Sequence, residues 1–213
     1  MAEATAILEV GTPPNKKIPA QAQRVLPIDQ RTDVTVDELE RTSLPYPAEL
    51  YNGKVVFKMA TFARGRIQTR LAGKLDSYCE QNPVGEVVTE TNFQLWPERR
   101  NQSRIPDIAF VKKERLPEDL WRYPDLAPDL AVEIISPEDN FLKVMNKVDA
   151  YLEQGTQIVW VVISDTREVL VCTAAGKHTV KDVLRAPELL PGFELPVSKI
   201  FEGLPMPEPS FEE

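Results

Sequence analysis

Hydrophobic and polar positions switch between two periods along this chain. Residues 49–57 read as a hairpin that turns on Asn52-Gly53, a dipeptide suited to the positive-φ positions of a tight turn. A helix is predicted over 63–80, where Ile67, Leu71, Leu75 and Tyr78 recur at helical spacing and Asn82-Pro83 supplies the stop. Residues 85–96 alternate, with Val87, Thr89, Thr91, Phe93 and Leu95 on one face, which predicts a strand. Further strands are predicted over 104–111, 130–135 and 158–163. The last two are almost wholly apolar, as central strands covered on both faces are. Between them, Ser136-Pro137-Glu138-Asp139 starts a helix that runs to Gln154, with Gly155 as its stop. Phe141, Val144, Met145, Val148 and Leu152 form its apolar stripe. Strand, helix, strand in that order predicts a βαβ crossover. Residues 167–172 and 179–184 read as edge strands, and His178, within Ala-Ala-Gly-Lys-His, falls in a turn.

The ends of the chain lack this periodicity. Residues 1–35, rich in Pro, Gln, Thr and Lys, are expected to form a flexible arm, and the Pro-rich residues 204–213 a loose tail. One domain is expected over 36–203, opened by a short helix that Thr35 caps, with Glu38 three residues on and Pro45 and Pro47 as its end. A chain of 213 residues, 42% hydrophobic and 27% charged, suffices for one full core.

Composition narrows the chemistry. No apolar run reaches about 18 residues, so no membrane span is expected. The N-terminus lacks a basic region followed by an apolar stretch, which points to a cytoplasmic protein. Cys79 and Cys172 lack metal-type spacing and read as free thiols. A single histidine, His178, excludes a histidine-rich zinc site. The net charge of −8 argues against a general basic coat for nucleic acid. A local basic groove remains compatible with it.

Two carboxylates stand out. Alternation over 130–135 places Leu130, Val132 and Ile134 on one face and Ala131, Glu133 and Ile135 on the other, so Glu133 intrudes on an apolar surface. A buried carboxylate is costly unless it is paired or holds a metal. The plain alternative is a structural group satisfied by a lysine or by backbone donors. Asp107, at the start of another apolar strand, adds a second carboxylate. Lys147 lies beside Val148 on the following helix, at the edge of the core, whereas Lys143 reads as a solvated charge.

Pro106-Asp107, then Pro128-Asp129 through Glu133-Ile134-Ile135-Ser136-Pro137, then Lys147 with Tyr151 and Gly155, then Val159-Trp160-Val161-Val162, resemble the Uma-two family. That family is numerous in cyanobacteria and is assigned to the PD-(D/E)XK nuclease superfamily. The resemblance runs from about Thr35 to Phe201, including Tyr46 to Gly53 and Leu190-Pro191-Gly192-Phe193. It implies an α/β restriction-endonuclease-like fold: a central mixed sheet flanked by helices, with an N-terminal hairpin. It also implies Asp107 and Glu133 as metal ligands, with the backbone carbonyl of Ile134 as a third. The superfamily lysine falls at Ile135 and is missing; the resemblance suggests that Lys147 replaces it from the helix. Glu49 matches a hairpin glutamate and becomes a supporting acid. Three positions depart from the family pattern: Arg64 stands in the region where histidine is frequent, and Asn52 and Lys54 stand in an otherwise acidic turn.

The function so implied is a metal-dependent endonuclease hydrolysing phosphodiester bonds of DNA through Asp107, Glu133, Lys147 and Glu49. Hard oxygen ligands without cysteine or histidine suit magnesium or manganese. Arg64, Arg66, Arg70 and Arg104 are candidate phosphate contacts, together with Arg99 and Arg100. A homodimer is expected, because cutting a duplex needs two sites. The alternatives are a catalytically inactive nuclease-fold binding or assembly module and a hydrolase of a smaller phosphoester.

Overall fold

In the computed structural model, which describes residues 26–206, a side-chain cap opens the first helix. The Thr35 hydroxyl accepts the Glu38 N–H at 3.3 Å and starts α1 (Val36–Arg41). The hairpin follows as β1 (Ala48–Tyr51) and β2 (Lys54–Phe57), turned by Asn52 and Gly53 at φ 49° and 78°. A Cβ on Gly53 would lie 2.4 Å from Thr32 O, so the turn needs glycine for space as well as for conformation. Thr61 caps α2 (Phe62–Gln81), which leads into β3 (Gly85–Thr89), β4 (Ile108–Lys112) and β5 (Leu130–Ile135). Asn140 caps α3 (Phe141–Glu153), which returns the chain to β6 (Ile158–Ile163). Then come β7 (Glu168–Thr173), β8 (Gly176–Val180), the short strands β9 (Val183–Leu184) and β10 (Leu195–Pro196), and α4 (Val197–Ile200).

The central sheet has six strands in the order β3-β4-β5-β6-β7-β8. β5 and β6 are parallel, joined by the α3 crossover; the other pairs are antiparallel. This is a mixed α/β sheet flanked by helices, as expected. Alternation along β5 sorts its residues as the sequence pattern implies. Leu130, Val132 and Ile134 pack with Ile67, Leu71 and Leu75 of α2, while Ala131 and Ile135 pack with Val148 and Tyr151 of α3. Each buried aliphatic side chain of this kind contributes about 1.5–3 kcal/mol of transfer free energy. A third cluster joins the hairpin to α1 through Val36, Leu39, Leu50 and Val55. No helix among the described residues is long and apolar enough to cross a membrane.

Several elements differ from expectation. The strand predicted over 85–96 ends at Thr89, because Glu90 adopts φ 50° and turns the chain. Val87 therefore packs on the α2 side, and Phe93 and Leu95 on the α3 side. The strand predicted from 104 begins only at Ile108; Pro106 cannot donate to a ladder, and Arg104 makes one isolated bridge with Phe93. Phe141 is exposed, and the buried face of α3 is formed by Lys147, Val148 and Tyr151. β7 is internal rather than an edge, since β8 covers it. The edge strand is 176–180, and His178 lies in it opposite Val171 instead of in a turn. The segment expected over 179–184 is split by a bend at 181–182.

Of the arm expected over 1–35, residues 1–25 lie outside the described residues. Within the remainder, Ile28–Gln30 forms a 3-10 turn, and Val34 is buried with its N–H donating to Gly53 O at 3.1 Å. Of the expected tail, 207–213 lies outside the described residues.

Candidate active site

Five elements converge on one cleft of about 530 Å³. β1 contributes Glu49, β5 contributes Glu133, and α3 contributes Lys147. Lys58 follows β2 directly, and Arg64 lies in the first turn of α2. Asp107 precedes β4 by one residue and is 1% exposed.

Lys147 is buried, with its ammonium among three oxygens. Its Nζ lies 2.7 Å from Glu133 Oε1 and 3.3 Å from Glu49 Oε2, and donates to Ile105 O at 3.2 Å. Tyr151, one helical turn along, donates its hydroxyl to the same Glu133 oxygen at 3.0 Å. Burial pushes the Glu133 pKa up, against the pull of Lys147, and the charges of Asp107 and Glu49 add to the rise. Burial works to lower the Lys147 pKa, yet Glu133 and Glu49 outweigh it and raise it, so the amine remains an ammonium. Burial also works to raise Glu49; Lys147 and the Ile105 N–H, 3.0 Å from Glu49 Oε2, reverse this and lower it.

Asp107 is held from several directions. Its Oδ1 accepts from Lys58 Nζ at 2.9 Å, and its Oδ2 from the Ile134 N–H at 2.6 Å. Arg64 Nη2 lies 3.2 Å and 3.0 Å from the two oxygens. Gln68 donates to the Asp107 backbone carbonyl at 2.8 Å. Burial works to raise the Asp107 pKa; Lys58 and Arg64 overcome it and hold the carboxyl below its ordinary value. The bond to Ile134 sets Asp107 beside the residue that follows Glu133 on the neighbouring strand.

Among the predicted site residues, Glu49, Glu133 and Lys147 meet directly, and Asp107 joins them through Ile134 and the Ile105 carbonyl. Ile135, where the superfamily lysine falls, is buried and apolar. Arg64 is in the cleft, but engaged with Asp107 and with Asp139 at 3.3 Å. Arg66 lies against Gly203, and Arg70 donates to the Glu202 carbonyl; neither lines the cleft. Arg104 is buried, with its guanidinium 3.7 Å from the centre of the Tyr51 ring and donating to Leu50 O and Ser103 O. It is therefore a packing residue and does not line the cleft. Arg100 pairs with Asp37 at 2.6 Å and Arg99 with Glu98 at 3.6 Å. Lys143 is an exposed charge, as read, and it lines the cleft. Sequence reasoning missed Lys58, Gln68 and the contact of Tyr151 with Glu133. Helical spacing from Lys147 to Tyr151 carried a signal for the last; nothing marked Lys58.

Asp107, Glu133 and Glu49 supply hard oxygen donors suited to magnesium or manganese. Among the described residues no three carboxylate, thiol or imidazole groups form a ready-made cage. Any divalent ion there would compete with Lys58, Arg64 and Lys147, which already lie against these carboxylates.

Comparison with known proteins agrees with this architecture. No curated protein matches the chain. A crystal structure described as "a putative nuclease belonging to DUF820 from Anabaena variabilis ATCC 29413" superposes with a TM-score of 0.67 at 22% identity, over 79% of this chain and 97% of that one. At that identity the likeness carries the fold alone. Residues 36–198 match the family model of Uma2, the Uma-two family, described as "Putative restriction endonuclease". The match spans most of the chain, and the protein belongs to the Uma2 family.

Proposed function

We propose that this protein is a metal-dependent endonuclease that hydrolyses phosphodiester bonds of DNA. The observation that carries the reading is the pair of buried carboxylates, Asp107 just before β4 and Glu133 on the neighbouring β5, with the Lys147 ammonium 2.7 Å from Glu133 at a cleft. Membership of a family described as "Putative restriction endonuclease" supports the same reaction class. Asp107 and Glu133 would hold a magnesium or manganese ion, with the Ile134 carbonyl as a third oxygen. Such an ion lowers the pKa of bound water and offsets the charge of the phosphoryl group.

The other roles belong to the side chains. Lys147, kept protonated by Glu133 and Glu49, donates to the attacking water or to a phosphoryl oxygen as its charge grows. Tyr151 fixes the orientation of Glu133 through its 3.0 Å hydrogen bond, and Glu49 fixes that of Lys147. Lys143, at the cleft, offers a phosphate contact that suits an otherwise acidic protein. Cutting both strands of a duplex calls for two such sites and hence a dimer.

A second reading has its own support. Asp107, Glu133 and Glu49 each have a cationic partner within the chain, as a non-catalytic binding module would require. Supercoiled plasmid separates the two. The nuclease reading expects nicking or linearisation with magnesium or manganese, none with EDTA, and none in E133Q. Binding without cleavage in either metal supports the module.

A further inference from the structure

We propose that Arg64 is a displaceable counter-ion of Asp107 that a substrate phosphate draws away, so that phosphodiester and divalent cation bind with positive coupling. The proposal rests on the nuclease reading above and adds the order in which the site is filled.

Asp107 accepts four hydrogen bonds: Lys58 and Arg64 on Oδ1, and the Ile134 N–H and Arg64 on Oδ2. A carboxylate offers about four lone-pair positions, so these contacts saturate it. The partners differ in freedom. The Ile134 N–H belongs to a buried central strand, and Lys58 is tied also to Ile105 O at 2.9 Å. The Lys58 and Arg64 side chains both line the cleft and are almost equally buried, but the second partner of Lys58 is a buried peptide, whereas Arg64 spans from Asp107 to Asp139, whose side chain is 35% exposed. Its departure alone frees one acceptor position on each Asp107 oxygen, while Lys58 and Ile134 keep the carboxylate in place.

A phosphate entering the cleft meets this guanidinium and the Lys143 ammonium. Guanidinium pairs with phosphate at least as well as with carboxylate, so the transfer exchanges one ion pair for another. The carboxylate left behind can then accept a divalent cation without leaving a buried charge unpaired. By linkage, whatever factor the phosphate adds to metal affinity, the metal adds to phosphate affinity.

The test is manganese binding to the full chain, read from the free-ion EPR signal, with and without a phosphorothioate DNA duplex that resists cleavage; binding to the duplex alone is subtracted. In the wild type the duplex is expected to tighten manganese binding about tenfold. R64A, and R64Q should the alanine variant not fold, is expected to bind manganese about tenfold tighter than wild type without DNA, and to gain little from the duplex. Equal manganese affinity in wild type and both Arg64 variants, with binding lost in D107N, overturns the counter-ion role and leaves the nuclease reading standing. Equal affinity in wild type and D107N, or no binding in any variant, overturns both.

Discussion

Lys58 and Lys147 donate to one oxygen, the carbonyl of Ile105, at 2.9 Å and 3.2 Å. The first lies 2.9 Å from Asp107 and the second 2.7 Å from Glu133, so the Ile105 peptide ties the two carboxylate–ammonium pairs together. Its N–H completes the link by donating to Glu49 at 3.0 Å. The following Pro106 has no N–H to satisfy and cannot extend the strand, which lets the chain bend before Asp107.

Removing one ammonium exposes this dependence. K147M leaves Glu133 and Glu49 without their shared cation and is expected to cost about 3 kcal/mol in urea unfolding. It should also lower cleavage by roughly 10²–10³-fold. Adding E133Q to K147M should restore part of the stability but none of the activity, because burial already favours the uncharged form of Glu133.

Asp107 sets an acid-dependent contribution to stability. Its folded pKa lies below the ordinary 3.8, since Lys58 and Arg64 outweigh burial. The stabilisation is therefore present above about pH 3.8 and is lost as pH falls below it through the folded value. D107N should be less stable than wild type by about 3 kcal/mol at neutral pH. Thermal melts across a pH series should show that gap closing below about pH 3.8. A constant gap would contradict the ion pairing.

Much of the fold was legible because burial on both faces leaves a plain mark. The runs at 130–135 and 158–163 became β5 and β6 with those bounds, and alternation placed Glu133 on the α3 face. Lys147 could be read from its place beside Val148. Lys58 could not: its partner Asp107 is 49 residues away, and a lone lysine after an apolar strand carries no spacing signal. The inward turn of Arg104 was equally hidden, since it depends on the Tyr51 ring and on carbonyls supplied by tertiary packing. Alternation over 85–96 misled because a non-glycine residue, Glu90, takes positive φ, and side-chain polarity does not report that.

Phosphate contacts should follow position in the cleft rather than arginine content. K143A is expected to weaken DNA binding and reduce the slope of log affinity against log salt by about 1. R104A should leave that slope unchanged and instead lower the unfolding free energy, since Arg104 packs against Tyr51 and Trp96. Fluorescence anisotropy over a salt series checks the first, and urea unfolding the second.

Tyr151 is expected to act on Glu133 through position alone. Y151F removes the 3.0 Å hydrogen bond to Glu133 and should cost about 1 kcal/mol. Cleavage should fall far less than in K147M, because Lys147 keeps its contact. Side-by-side single-turnover rates of the two variants check this ranking.

Anomalous diffraction from a crystal soaked in manganese addresses the metal site directly. The expected result is a peak between Asp107 and Glu133, within coordination distance of both carboxylates, with Arg64 turned off Asp107. A crystal with manganese bound elsewhere, no peak between those carboxylates, and Arg64 and Lys58 still holding Asp107 would contradict a metal-dependent nuclease built on these two residues.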